Sequence, residues 1–124
     1  MAPVGPLPCA QAGAASAAGA PLLPYGERMY PILLRNGVWQ AEEFDFIRRR
    51  VDAARRYAVV DFGANVGLFS RQAQRAIEGI DRIVCIEADP GNFTALCHNL
   101  AHLPPEVCTL HNVALADRAG TMTW

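Results

Sequence analysis

Apolar residues change their period along the chain, and each change marks an element. Phe44, Ile47, Val51 and Ala54 recur at the spacing of one helix face, which predicts an amphipathic helix over 42–56. Glu42, Glu43 and Asp45 stand at its start and Arg55 and Arg56 at its end, the charge order that a helix dipole favours. Arg48, Arg49 and Arg50 are consecutive, so they fan out around the helix as a solvated face rather than lining a phosphate groove. Next, Tyr57, Ala58, Val59, Val60 and Asp61 form an apolar run without alternation, which suits a parallel strand covered on both faces. Gly63 and Gly67 bracket a turn, and Phe69, Ala73, Ala76, Ile77 and Ile80 predict a second helix over 68–80.

After Gly79 and Asp81 comes a second buried-type strand, 82–87. Asp89 followed by Pro90 is a helix start, an N-cap acceptor with proline at the first helical position. Phe93, Leu96, Cys97 and Leu100 give that third helix its buried stripe, and Pro104 and Pro105 bar it from continuing far past His102. Residues 107–113 read as a third strand, 117–120 as a turn and 121–124 as the start of a further extended segment. Strand, helix, strand, helix, strand with short connections is an α/β pattern, a partial doubly wound Rossmann-like parallel sheet. Right-handed crossovers place the first and third strands on opposite sides of the second.

Ahead of these elements the first 26 residues carry no charge. Pro3, Pro6, Pro8, Pro21 and Pro24 with Gly5, Gly13 and Gly19 break any membrane-spanning helix. Met1 to Val4 lacks the basic start of a secretory signal. Three regions follow: a disordered Ala/Pro/Gly-rich leader over 1–24, an extension with the amphipathic helix over 25–56, and an incomplete α/β domain over 57–124.

Composition removes several classes of function. With 124 residues and a net charge of −1, the chain is one domain and offers no bulk basic surface for nucleic acid. All eleven basic residues are arginine, so neither Schiff-base chemistry nor the lysine of a nucleotide-binding phosphate loop is available. Cys9, Cys85, Cys97 and Cys108 fall at irregular spacings without a C-x-x-C pair and read as buried thiols of a reducing, cytoplasmic compartment. His98, His102, Cys108 and His111 lack the tight ligand pairs of a structural zinc site, and no metal is expected.

Ligands of doubly wound sheets bind beyond the carboxyl ends of the strands. Asp61-Phe62-Gly63-Ala64-Asn65-Val66-Gly67 stands at that end of the first strand. Its glycines let backbone N–H groups approach a ligand near the positive end of the following helix. Glu87 closes the second strand and is placed to accept hydrogen bonds from both hydroxyls of a ribose. The loop is D-x-G-x-x-x-G rather than G-x-G-x-x-G, and Asp61 would repel a diphosphate while attracting a cationic aminoacyl nucleoside. Asp89 is explained by its cap, and Ser70 lies inside a helix without the elbow of a nucleophilic serine.

These residues resemble the class I S-adenosylmethionine-dependent methyltransferases. More narrowly, residues 59–70 (VVDFGANVGLFS), 85–90 (CIEADP) and 112–117 (NVALAD) look like the FkbM-type family. The resemblance implies that Asp61, Gly63, Asn65 and Gly67 line the methionine part of S-adenosylmethionine, that Glu87 holds the ribose and that Asn112 lies near the adenine. It also implies O-methyl transfer to a hydroxyl of a small molecule or glycan; the charge balance and the broken leader give no expectation of a nucleic-acid or membrane partner. The family's sheet continues past the segment reached at Trp124, so the expectation is a cofactor-binding fragment, inactive alone, that lacks the acceptor-side half. Its first strand would then border an open apolar edge suited to self-association. The alternative from another class is a non-catalytic nucleoside-binding remnant or an association module.

Overall fold

The computed structural model describes Arg35 and residues 40–121. In chain order these form α1 (Ala41–Arg48), β1 (Tyr57–Phe62), α2 (Leu68–Ala76), β2 (Ile80–Ile86), α3 (Pro90–Leu100) and β3 (Cys108–His111). The strands make one parallel sheet in the order β1-β2-β3, so the second strand is central and each connection joins neighbouring strands. Val59 pairs with Ile83 and Asp61 with Cys85, while Ile83 also pairs with Cys108 and Cys85 with Leu110. The predicted leader over 1–24 and most of the extension ahead of α1 lie outside the described residues, as do residues 122–124 of the predicted fourth extended segment.

One face of the sheet carries the main core. Ile83, Cys85 and Cys108 pack there with Leu96 and Leu100 of α3, and Val59 and Leu110 flank them. Ser70 of α2 meets Asp61 and Cys85 on the same face, so both crossover helices cover one side. A second cluster joins α1 to α2, with Phe44, Ala73 and Ile77 buried among Ile47, Val51 and Phe69. The Phe44 and Phe69 rings stack at 4.9 Å between centroids. No helix among the described residues is long and apolar enough to cross a membrane.

Several boundaries differ from the sequence reading, and the two helix ends do so for a local reason. The first helix stops at Arg48 instead of Arg56. Past it, Arg50 turns back so that its guanidinium donates to the Phe46 carbonyl and lies over the Phe46 ring. Asp52 then accepts from the Ala54 N–H, and the Asp52 N–H donates to the Tyr57 hydroxyl; such side-chain bonds offer the backbone an alternative to helix. The second helix ends at Ala76, because Ile77 is already extended and Gly79 takes a φ of +82°. A Cβ at Gly79 would collide with the Arg55 carbonyl, so the turn into β2 requires glycine and Ile80 becomes a strand residue. The third strand spans Cys108–His111, shorter than 107–113. By contrast the Asp89 cap stands as read: its carboxylate accepts from the Asn92 N–H at 2.7 Å, with Pro90 opening α3.

Coverage of β1 also differs. Its residues alternate between half-buried and exposed, with Val60 at 50% and Phe62 at 62% exposure. The run expected to be covered on both faces is covered on one, since α2 and α3 lie on the same side.

Candidate functional site

The carboxyl ends of the three strands are sewn together by hydrogen bonds, and all six residues singled out from sequence lie in or next to that seam. The Ile86 carbonyl accepts from both the Gly63 and the Ala64 N–H. Glu87, just past β2 and 8% exposed, accepts from the Asn65 N–H with one carboxylate oxygen and from the Asp89 N–H with the other, each at 2.8 Å. The Asn112 side-chain amide donates to the Glu87 and Ala88 carbonyls at 2.8 and 3.1 Å. The Glu87 N–H in turn donates to the His111 carbonyl. Glu87 is therefore fixed from β1, from its own loop and from β3.

The two glycines of the loop do different work. Gly63 has a φ of +71°, is exposed, and a Cβ built on it meets no atom within 4 Å. Open space above a left-handed glycine lets a ligand come close to the backbone. Gly67 has a φ of +80° and is buried against α3, where a Cβ would stand 2.6 Å from Leu96 Cδ1 and 3.3 Å from Leu100 Cγ. Its small size serves helix packing, and its N–H donates to the Ala64 carbonyl. The N–H groups of Gly63, Ala64, Asn65 and Gly67 thus all bind within the protein, so the expected cradle of free N–H donors at both glycines is not formed.

Asn65 takes a left-handed φ of +52°, and its Oδ1 is buried without a hydrogen-bond partner among the described residues. An orphaned acceptor on a left-handed residue inside a strand-end loop makes Asn65 a candidate for ligand contact. Asp61 accepts a 2.6 Å hydrogen bond from the Ser70 hydroxyl. Burial pushes its carboxyl above the ordinary Asp range; the Ser70 bond pulls it down and the charge of Glu87 raises it again.

Ser70 is fully buried and accepts from the Cys85 thiol at 3.3 Å. Contact with Cys108 and burial hold the Cys85 thiol well above its usual range. Cys85 and Cys108 are free and buried, whereas Cys97, half-buried on α3, is disulfide-bonded. The reading of the cysteines as thiols throughout therefore fails at Cys97, and Cys9 lies outside the described residues. Among the described residues no group of three or more His, Cys, Asp or Glu is placed to hold a metal ion.

Sequence reasoning missed the roles of Ser70 and Cys85. The signal was present as strand alternation, which puts Asp61 and Cys85 on the same face of paired strands. Family models, curated proteins and solved structures gave no match to the chain.

Proposed function

We propose that the chain binds S-adenosylmethionine through the loop from Asp61 to Gly67 and through Glu87, as part of an FkbM-type methyltransferase that methylates a hydroxyl of a small molecule or glycan. The carrying observation is Glu87, a buried carboxylate held by two backbone N–H groups at the end of the central strand. A carboxylate offers about four acceptor positions, and the two N–H bonds leave capacity for the paired hydroxyls of a ribose. Burial of an acid with no salt-bridge partner among the described residues is costly, so its presence at a strand end fits a binding role better than a solvent-facing one.

The other residues fit the same nucleoside. The orphaned Asn65 Oδ1 is an acceptor for an ammonium or amide donor. Gly63 leaves room for close approach, and the Asp61 carboxylate supplies negative charge toward a sulfonium or ammonium. Asn112 acts by fixing the Glu87 carbonyl, with the adenine side of the site next to it. When bound, the cofactor supplies an electrophilic methyl group; the chain's share is to orient it and to exclude anionic dinucleotides.

Calorimetry with the full chain tests this reading. S-adenosylhomocysteine and S-adenosylmethionine should bind more tightly than NAD, and Glu87→Gln should weaken them by about 1.5 to 3 kcal/mol, the scale of hydrogen bonds to a charged group. Tighter binding of NAD would overturn the assignment.

A second reading, an association module, draws on the exposed face that carries Val60 and Phe62. It predicts self-association without nucleoside affinity.

A further inference from the structure

We propose that Ser70 is the positioning residue for Asp61, the middle link of a buried relay that runs from the Cys85 thiol on β2 through the Ser70 hydroxyl on α2 to the carboxylate at the end of β1. The relay deepens the cofactor reading, because it concerns the carboxylate of the same loop, but its geometry holds with no ligand bound.

The direction of the bond between Ser70 and an ionised Asp61 is fixed by chemistry. An ionised carboxylate only accepts, so the 2.6 Å contact makes the Ser70 hydroxyl the donor to Asp61 Oδ2. Having given its one proton, the Ser70 oxygen can only accept from Cys85, whose thiol lies 3.3 Å away. Cys85 is fully buried, as is Ser70, so neither has water as a substitute. Burial and contact with Cys108 keep the Cys85 thiol protonated, and its one S–H proton has two acceptors within reach, the Ser70 oxygen and the Cys108 sulfur. Whenever the thiol donates to Ser70, the donors point in one direction, toward Asp61, and bonds aligned in this way strengthen one another.

Protonating Asp61 removes the reason for that order. The carboxylic acid then carries a proton of its own, the Ser70 hydroxyl no longer has to donate to it, and the thiol's single proton is redistributed between Ser70 and Cys108. The titratable groups acting on Asp61 are Glu87 and Cys85 from the β2 side, with Cys108 on β3 reaching it through Cys85. From α2 it meets the uncharged Ser70.

Two measurements on the full chain test the relay without any nucleoside, so its failure is distinct from failure of the cofactor reading. The first is an NMR titration of the Asp61 carboxyl carbon. In Ser70→Ala its midpoint should move up by about one pH unit, the scale of one lost charge-assisted hydrogen bond. The second needs no variant at Ser70: the S–H stretching band of Cys85 in the unaltered protein, assigned by its loss in Cys85→Ser, should shift as Asp61 titrates. A merely structural serine would move neither reading. An Asp61 midpoint unchanged in Ser70→Ala, or a Cys85 band flat across the Asp61 titration, overturns the proposal; should Ser70→Ala fail to fold, the band in the unaltered protein decides.

Discussion

Asp61 bears two opposed demands. Its carboxyl titrates above the ordinary Asp range, chiefly because burial disfavours the charge, yet a cationic ligand would need that charge. The linkage follows from the direction of the shift. A carboxyl whose folded pKa is raised binds protons more readily in the folded chain. Its contribution to stability is therefore complete below the unfolded Asp pKa and is lost as pH rises through that value to the raised one. Asp61→Asn removes the charge and can still accept from Ser70. The variant should resist urea better than the parent at neutral pH and about equally in acid, where Asp61 is protonated. The same variant should bind S-adenosylmethionine about tenfold, or 1.4 kcal/mol, more weakly. Urea unfolding at the two pH values and calorimetry check the pair; lower stability of Asp61→Asn at neutral pH would remove the conflict. At this scale sequence indicated which residues cluster but not what they touch. Glu87 and Asn112 were placed by strand order, whereas their bonds to the Asn65 N–H and to the Glu87 and Ala88 carbonyls depend on side-chain torsions that no spacing encodes.

Among the elements, the loop from β1 to α2 separates a glycine that faces open space from one packed under α3. Both Gly63 and Gly67 have positive φ, so alanine at either adds strain of about 1 kcal/mol. Beyond that the two should part. Gly63→Ala meets no neighbour and should cost little more in stability, while its methyl enters the open space that a ligand would use and weakens nucleoside binding. Gly67→Ala drives a methyl into Leu96 and Leu100, adding about 1 to 3 kcal/mol of overpacking. Denaturant unfolding and calorimetry on both variants check the contrast, and equal losses of stability would reject it. Sequence marked both glycines and could not rank them, because the difference lies in α3, which packs on one and not the other. Helix ends were legible where a single residue decides them, as at the Asp89 cap. They were not legible at Arg49 and Ile77, where a folded-back arginine and the demand of Gly79 cut the helices short.

In the molecule as a whole, the sheet has one covered and one open face. Strand order was readable because consecutive strands joined by short connections tend to lie side by side; the coverage was not, because a continuous apolar run reads the same whether one face or both are packed. The two crossover helices fall on the side of Ile83 and Cys85, which leaves Val60 and Phe62 half or more exposed. Register sets Val84 and Ile86 beside them, so the open face is apolar across two strands. On its outer side β1 has no neighbouring strand among the described residues, and an unpaired apolar edge is a template for association. Val60 and Phe62 project away from the core that α2 and α3 build, so charging them tests association without dismantling the fold. The full chain should show concentration-dependent self-association in sedimentation, and the double variant Val60→Lys, Phe62→Lys should shift it toward monomer while keeping its helical signal. Lysine acts here as it does on natural edge strands, where a charge that must stay hydrated opposes pairing. A parent chain that sediments as a monomer at every concentration, or a double variant that associates as strongly as the parent, would show that this face is not the contact.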